Sequence, residues 1–598
     1  MSSATVTRTG AEQIHWNLDD LYSADPAASV EADLRRADQL AEEFAASTRG
    51  RVAELDAAGM VAALQRMEEI LEIQGRAAAY AFLNFTTDMA DAPRGALLQK
   101  VQEVATQTGT RIIFFGLEWI ALPDEQADKL LSDPGLATYR HYLESARRYR
   151  PHVLSEPEEK ILTEKSVTAR SAWSRLFDEL ASAVRVKVDG AEQTLEEALA
   201  GLYSDDPEQR RKLAEAITEG LRSDLRTRRF VLNTVLADKA IDDRIRKFPS
   251  WISDRNLANE APDASVQALV EAVTSRYDIP QRYYALKKRL LGLQTFHDWD
   301  RYAPYGGSEP DIGWDEAKDT VLEAYGSFSP RLRELAAEFF DKRWIDAALA
   351  PNKQGGAFSY PAMPSTHPYV MLNFTGRRRD VLIMAHELGH GVHQSLARKQ
   401  SAFNVGTPLT TAETASIFGE TITFTRLLER EHDPTARLSL LVGRIDDATA
   451  TIFRQVAMNR FEDAIHTHRR EQGELAEEDL NGHWLKTQRD MLGPAVEVSE
   501  NYGVWWSYVH HFIAVPGYVY AYAFGNLLAL AVHARAVEEG PAFAPKYFEL
   551  LASGGSDSPE VLTRRVGVDL ADPAFWSRGL DSLAVLVDEA EALSNTIG

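Results

Sequence analysis

Long helical patterns dominate the chain and restrict the folds that are open to it. Runs rich in Ala, Leu, Glu and Arg have apolar residues three or four positions apart, for example at 28–48, 53–82, 94–118 and 157–183. This spacing puts the apolar side chains on one face of an α-helix and predicts helices that pack on one another. With 598 residues the chain can bury a large core, so we expect a mainly α protein.

Two segments depart from the helical pattern. The stretch "AVRVKVDGAEQTL" alternates apolar and polar residues and then offers Asp-Gly, which predicts a β-hairpin near 184–195. The glycines, prolines and β-formers of 355–374 predict a small β-sheet beside the helix that follows. Helical patterns resume after "SDDPEQRR", so we predict a boundary near residue 205, between an N-terminal helical lobe (1–205) and a catalytic domain (206–598).

Composition narrows the function. The net charge of −24 argues against nucleic acid as a partner, because phosphate binding needs a basic surface. The absence of cysteine excludes disulfides, thiolate metal sites and cysteine nucleophiles, so a metal would need His, Asp or Glu. The most apolar stretch, 518–532, is too short to cross a membrane, and the first residues lack an apolar signal core. We therefore expect a cytoplasmic protein without membrane partners; monomer and homodimer both remain open.

The stretch "VLIMAHELGHGVHQ", which starts at Val381, contains H-E-x-x-H. His386 and His390 are four positions apart, so on a helix they share a face and both reach one zinc ion. Glu387 is displaced around the helix, where it can contact a zinc-activated water without being a ligand. Asp380 is a candidate cap for this helix, and the apolar residues before the motif predict burial.

A third ligand is the next requirement. The metzincin arrangement needs Gly and His at positions that here hold His393 and Leu396, which excludes that class. No acidic residue occurs in 391–412, and Glu413 is the first one beyond the motif. Glu413 also ends a Thr-x-x-Glu pattern that fits a helix capping box, so both interpretations stand. Because zinc needs a third protein ligand, we favour Glu413 as that ligand.

Two further residues are candidates for supporting the metal ligands. Glu420 lies two helical turns beyond Glu413 and could accept the second N–H of a metal-bound histidine, although an exposed helix glutamate is the alternative. His393 follows His390 by less than one turn. Because His386, His390, Glu413 and a water would complete the zinc, we expect His393 to support a ligand or to pack in the core.

Several ordered motifs together resemble a known family. These are "HELGHGVH", "AETASIFGE", "YVMLNFTGRRRDVLIMAHE", "GGAFS" and "HHFIAVPGYVYAYAFG". In this order they are similar to the oligoendopeptidase F branch of the thimet oligopeptidase-like zinc metallopeptidases. Weaker likeness extends from "WNLDDLY" to near residue 580, and thus over nearly the whole chain.

The resemblance implies a large helical, two-lobed zincin-type peptidase with a deep channel and a small β-sheet beside the H-E-x-x-H helix. One zinc ion would lie at the floor of the channel, which admits short or unfolded peptides. The segment before the helix can bind substrate through main-chain pairing at its edge, or it can be a structural hairpin that covers the core. As a substrate strand its candidate residues are Gly355, Gly356, Ala357, Tyr369, Met371 and Asn373.

The resemblance also implies that a C-terminal histidine and two tyrosines stabilise the oxyanion. Carried over, the tyrosines are Tyr518 and Tyr522, which share a face if a helix starts at Pro516-Gly517. His511 matches the histidine of the family pattern, and His510 is the alternative. Without this context an aromatic stripe is an ordinary core feature.

These residues predict a zinc-dependent endopeptidase for oligopeptides. Zinc activates a water, Glu387 takes the proton of that water and delivers it to the leaving amine, and His511, Tyr518 and Tyr522 donate to the oxyanion. Three other interpretations remain. They are a helical zinc carboxypeptidase, a non-catalytic peptide-binding protein with an incidental motif, and a zinc enzyme acting on a non-peptide substrate.

Overall fold

The fold is mainly helical. The computed structural model describes residues 9–166, 168–306, 311–361 and 363–597. The α-helices up to residue 306 are α1 (Pro26–Thr48), α2 (Ala57–Thr86), α3 (Ala92–Ala121), α4 (Asp124–Leu131), α5 (Arg140–Arg148), α6 (Glu156–Ser166), α7 (Arg170–Ser182), α8 (Leu195–Gly201), α9 (Pro207–Arg222), α10 (Leu225–Ile245), α11 (Ser253–Ala258), α12 (Asp263–Ser275) and α13 (Asp278–Leu290). From residue 311 they are α14 (Trp314–Phe328), α15 (Pro330–Asp341), α16 (Arg378–Ala397), α17 (Leu409–Ala412), α18 (Thr414–Arg430), α19 (Pro434–Ala448), α20 (Arg454–Glu471), α21 (Glu477–Leu492), α22 (His511–Ala514), α23 (Tyr520–Glu539), α24 (Ala544–Ala552), α25 (Pro559–Arg564) and α26 (Pro573–Ile597).

The long amphipathic runs fold as predicted, with one exception. The first three correspond to α1, α2 and α3, whereas the run 157–183 is divided between α6 and α7. The predicted hairpin is present as β1 (Arg185–Val188) and β2 (Ala191–Thr194), which pair antiparallel. Asp189 and Gly190 both have positive φ, 50° and 84°, as a two-residue type I′ turn requires.

The chain forms two compact units, each assembled from three segments. Unit 1 consists of the described residues up to Arg150, residues 311–430 and Val532–Asp569. Unit 2 consists of residues 151–306, 431–531 and 570–597. The boundary predicted near residue 205 therefore differs from the structure, since residues on both sides of it belong to unit 2.

Unit 1 contains the small sheet that was predicted beside the H-E-x-x-H helix. Its strands are β3 (Ile345–Asp346), β4 (Phe358–Tyr360) and β5 (Tyr369–Met371), in the order β3-β5-β4. Strand β5 pairs parallel with β3 and antiparallel with β4, so β5 is central and β4 is an edge strand.

Helix α16 forms the centre of unit 1. It packs along α18, and α14, α15, α24, β4 and β5 also contact it. A Cβ at Gly389 of α16 would collide with the Ala415 carbonyl oxygen and lie 2.6 Å from Ser416 Cα, so glycine permits the close approach of α18. Among the described helices, none is both long and apolar enough to cross a membrane.

Candidate active site

The H-E-x-x-H residues lie in the middle of α16. The helix begins at Arg378, three residues before the predicted start, and Asp380 lies inside its first turn. The Asp380 carboxylate still caps the helix start, because it accepts the backbone N–H groups of Thr375 (2.8 Å) and Arg377 (3.1 Å). Within the helix, His386 and His390 share a face as predicted, with ring centroids 4.9 Å apart.

Glu413 joins the two histidines. Its Oε2 lies 3.4 Å from Nε2 of His386 and 3.4 Å from Nε2 of His390. Two ligand atoms that are each bound to a tetrahedral zinc are separated by about 3.4 Å. The two nitrogens and the carboxylate oxygen, all within 4.8 Å of one another, therefore fit a divalent metal. The three side chains retain partial exposure (18–33%), which leaves the site open to solvent and substrate.

The alternative interpretation of Glu413 as a capping box does not match the structure. Glu413 lies between α17 and α18, and its carboxylate points to the histidines while accepting the hydroxyl of Ser416 at 2.6 Å. Burial alone would raise the pKa of Glu413, but the imidazoles of His386 and His390 hold it well below its usual range. A carboxylate kept ionised in this way suits a metal ligand.

Glu420 contacts one of the two histidines directly, whereas His393 lies beside the backbone that precedes Glu413. His386 Nδ1 lies 3.1 Å from Glu420 Oε2, so the two nitrogens of this imidazole have a carboxylate each. Burial opposes a charge on His386, yet Glu413 and Glu420 raise its pKa to about 10 in the absence of metal. His393 is buried, which lowers its pKa to about 3, and it bonds the carbonyl of Ala412, the residue before Glu413.

Tyr325 of α14, which was not predicted from the sequence, contacts both α16 and α18. Its hydroxyl donates to the Ala385 carbonyl at 2.5 Å, directly before His386. The ring also occupies the space that a Cβ at Gly419 would need, next to Glu420. The side chain is fully buried, and burial together with the carboxylates of Glu420 and Glu387 raises its pKa. A glycine within a buried helix was the available signal for such close packing.

Glu387 is turned toward strand β4. Its side chain is 8% exposed, and burial raises its pKa although the two histidines and the Ser359 backbone N–H act in the opposite direction. That N–H lies beside the carboxylate and favours its charged form, while the Ser359 hydroxyl donates to Gln394 Oε1 at 2.8 Å. Strand β4 is thus held against α16 beside Glu387. Neither Ser359 nor Gln394 was predicted from the sequence.

The predicted substrate-binding strand requires a correction. Tyr369 and Met371 belong to β5, which is paired on both sides, and their side chains are buried. Asn373 donates its amide to the carbonyls of Gln354 (2.9 Å) and Gly356 (2.8 Å), so it holds the preceding loop in place. The edge strand of the sheet is β4 instead. The other three candidates, Gly355, Gly356 and Ala357, lie in the partly exposed loop that leads into β4.

The predicted C-terminal residues come together in unit 2. His511 Nε2 lies 3.2 Å from the Tyr522 hydroxyl, and the rings of His511 and Tyr518 stack with centroids 5.8 Å apart. Helix α23 begins at Tyr520 rather than at Pro516-Gly517, so Tyr518 lies in the turn before it. Even so, the Tyr518 and Tyr522 centroids are 5.2 Å apart. His510 points to Asp178, with Nδ1 2.6 Å from Oδ1, so the structure groups His511 with the tyrosines.

Two parts of the chain match known peptidase families in sequence. Residues 327–582 match peptidase family M3, and residues 118–185 match the family described as oligopeptidase F. The first match contains His386, His390 and Glu413, together with the His511–Tyr522 segment.

The chain carries a peptidase family M3 domain.

Relatives of this protein align over most of its length. Oligopeptidase PepF of Bacillus subtilis is 26% identical, over 97% of this chain and 87% of its own. An oligoendopeptidase F homolog of Lactococcus lactis is 24% identical, over 97% of both chains. Among solved structures, a protein from Chlamydophila abortus superposes with a TM-score of 0.88 (24% identity, 97% and 98% covered). Oligoendopeptidase-F from Enterococcus faecium gives 0.70 (23% identity, 97% and 100% covered).

These matches confirm the resemblance, the helical fold class and the enzyme class that the sequence predicted. The protein is a metallopeptidase with an M3 domain, and several of its relatives are oligoendopeptidases F by name. The family implies a divalent metal, and the donor set of His386, His390 and Glu413 fits one.

Proposed function

We propose that the chain is a zinc-dependent endopeptidase that cleaves internal bonds of short, unfolded peptides. The observation that carries the proposal is the position of Glu413 Oε2, 3.4 Å from both histidine Nε2 atoms, on the helix face beside Glu387. Two imidazoles and one carboxylate are a catalytic zinc donor set, which leaves one position for a water or a substrate. The substrate class follows the relatives, which are named oligopeptidases and oligoendopeptidases.

The chemistry divides between the metal and the residues of the chain. Zinc held by His386, His390 and Glu413 would supply Lewis-acid activation of the attacking water and of the peptide carbonyl. Glu387 takes the proton of that water on its carboxylate and passes it to the nitrogen of the leaving amine. The Ser359 backbone N–H lies beside the same carboxylate and favours its charged form.

His511, Tyr518 and Tyr522 are proposed as donors to the developing oxyanion. Three donor side chains that lie within ring contact of one another are an ordered group, as stabilisation of transition-state charge requires. The hydrogen bond between His511 Nε2 and the Tyr522 hydroxyl favours one arrangement of this pair.

Strand β4 replaces β5 as the proposed partner of the substrate backbone. An extended peptide can add to an exposed sheet edge through main-chain hydrogen bonds, largely independent of its sequence. Among the described strands only β5 pairs with β4, and on the other side of β4 the Ser359 backbone faces Glu387 and Gln394 of α16, which an added peptide would have to displace or share. The loop Gly355–Ala357 leads directly into this edge and remains a proposed contact for the peptide.

Digestion of a mixed peptide pool, with and without a chelator, tests this function. Mass spectrometry should find internal cleavage of end-blocked peptides that disappears with chelator and returns with zinc. Products released one residue at a time from free carboxyl ends would instead support a zinc carboxypeptidase. Well-folded protein that holds no metal when purified without added zinc, and that cleaves nothing, would support a non-catalytic peptide-binding protein.

A further inference from the structure

A tight turn carries Tyr518 to its place beside His511. The Tyr518 N–H donates to the Val515 carbonyl at 3.1 Å, and Pro516 and Gly517 are the two central residues. Gly517 has φ +77°, and a Pro-Gly pair with positive φ at its second residue forms a type II turn. This turn joins the short helix α22, which starts at His511, to the residues just before α23.

A type II turn differs from a type I turn by rotation of its central peptide. In the first form ψ of the proline is about +120° and φ of the next residue about +80°, whereas in the second they are about −30° and −90°. The peptide between Pro516 and Gly517 therefore turns over between the two forms. A hydrogen-bond acceptor placed against the Gly517 N–H selects one form over the other.

Glu462 provides that acceptor. It lies on α20, is fully buried, and its Oε1 accepts the Gly517 N–H at 2.8 Å. Its Oε2 has no hydrogen-bond partner among the described residues. A carboxyl buried with one unsatisfied oxygen is costly, and leucine could fill similar space without that cost. The contribution that is specific to the carboxyl is its bond to the turn.

Other contacts hold the turn from its remaining sides. A Cβ at Gly517 would lie 3.3 Å from Arg255 Cβ and 3.4 Å from Trp251 Cζ3, so the turn packs closely against these residues. The Arg170 guanidinium donates to the Ala514 carbonyl at 3.0 Å, at the end of α22. Only Glu462 bonds the central peptide itself, among the hydrogen bonds of the described residues.

We propose that Glu462 is a positioning residue of the peptidase reaction, which holds the Pro516–Gly517 peptide in the orientation that places Tyr518 against His511 and Tyr522. This inference rests on the proposed role of these three side chains at the oxyanion. Glu462 acts through the turn and does not contact the substrate. Its effect therefore belongs to the chemical step and not to metal binding or peptide affinity.

Two substitutions separate the acceptor from the shape of the side chain. Glu462→Gln keeps a carbonyl oxygen at the same place and should retain kcat within about twofold. Glu462→Leu removes the acceptor and should lower kcat by about tenfold or more, with KM within about twofold, because the tyrosine is displaced. Both variants should bind zinc like the wild type, and Glu462→Leu should unfold at a temperature no lower than the wild type.

Asn233→Leu is a matched control in the same unit. Asn233 is buried and exchanges two hydrogen bonds with the Leu475 backbone (3.0 and 2.9 Å), away from the turn. Its replacement should lower the unfolding temperature and leave kcat unchanged. A second test, needed if Glu462→Leu does not fold, combines Tyr518→Phe with Glu462→Gln and Glu462→Met. In the Tyr518→Phe background, kcat of Glu462→Met should be no lower than kcat of Glu462→Gln, because the displaced hydroxyl is already absent.

The outcomes are distinct. The inference would be overturned if Glu462→Leu had the kcat of the wild type, or if the Gln and Leu variants lost kcat equally. It would also be overturned if, in the Tyr518→Phe background, Glu462→Met still had a lower kcat than Glu462→Gln. A wild-type protein that cleaves no peptide would overturn the proposed function itself. If the wild type cleaves peptides and Glu387→Gln abolishes cleavage while Glu462→Leu remains fully active, only the positioning role of Glu462 is lost.

Discussion

His386 has a carboxylate at each nitrogen: Glu420 Oε2 lies 3.1 Å from Nδ1, and Glu413 Oε2 lies 3.4 Å from Nε2. The first distance is that of a hydrogen bond, and the second is that between two ligands of one metal ion. Glu420 therefore fixes the tautomer that leaves Nε2 free to bind metal, and it orients the ring.

Replacement of Glu420 by Gln should weaken zinc binding by about 10- to 100-fold, because the ring loses a charged acceptor. Competition for zinc with a chelator of known affinity measures the change. Glu429→Gln on the same helix is the control, since Glu429 is exposed and pairs with Arg426 at the surface. Equal zinc affinity in the Glu420 variant and the control would contradict the role of Glu420.

Gly389→Ala should disturb the metal site from within its helix. The new methyl group would collide with the backbone of α18 at Ala415 and Ser416, just beyond Glu413. We expect a loss of about 1–3 kcal/mol in the free energy of unfolding, from overpacking, together with weaker zinc binding. Denaturant unfolding and metal analysis on the same samples give both quantities.

Gly109→Ala is the matched control for this substitution. Gly109 lies in α3, also in unit 1, and it is exposed; beyond its own helix backbone nothing lies within 4 Å of the place that the new methyl group would take. Alanine there should stabilise the protein by up to about 1 kcal/mol through helix propensity. Similar changes in both variants would show that close packing at Gly389 is not what matters.

The buried Glu462 should make the stability depend on pH. Burial raises its pKa from 4.5 to about 8, although the nearby Arg255 opposes the shift. The folded state therefore holds this proton where the unfolded state releases it. Its stabilising contribution is complete below about pH 4.5 and is lost as pH rises through about 8. Glutamine does not titrate, so Glu462→Gln does not lose stability in this way. The free energy of unfolding of the variant should therefore rise relative to that of the wild type by about 2–4 kcal/mol between pH 5 and pH 8.

Urea unfolding of both proteins across this pH range measures the difference. Comparison with the wild type at each pH cancels the titration of all other groups that the substitution leaves unchanged. A constant difference between the two proteins from pH 5 to pH 8 would mean that Glu462 has an ordinary pKa in the folded state.

Gln394→Leu tests the attachment of the edge strand to α16. Gln394 accepts the Ser359 hydroxyl at 2.8 Å and donates to the Ser359 carbonyl at 3.4 Å. Without these bonds β4 should be less ordered, and KM for peptides should rise several-fold while zinc affinity stays unchanged. Steady-state kinetics on one end-blocked peptide, with Gln99→Leu on the exposed part of α3 as control, measures this. An unchanged KM would argue against β4 as the substrate strand.

The proposed metal ligands could be predicted from the sequence because their chemistry is local. His386 and His390 are fixed on one face by helix geometry, and the acid-free stretch after them made Glu413 the nearest carboxylate. Tyr325 could not be found in this way, because its bond to Ala385 joins residues 60 positions apart on different helices. Long-range packing of this kind has no periodic signal in the chain.

The order of the strands in the small sheet could not be predicted from the sequence for a similar reason. The central place of β5 depends on β3, which is two residues long and follows directly on a helical run. Alternation of side chains indicates a strand but does not say which neighbours it has. At Pro516-Gly517, a helix start and a type II turn have the same local signature, and the buried Glu462 contact on a distant helix accompanies the second.

The most direct test of the account is the turnover of Glu387→Gln in a sample whose zinc content is measured at the same time. Gln keeps the size of the side chain and removes the proton acceptor. We predict zinc content equal to that of the wild type and a fall in kcat of about 10²- to 10⁴-fold on an end-blocked peptide. Cleavage at near wild-type rate by the zinc-loaded variant would contradict the assignment of Glu387 as the general base.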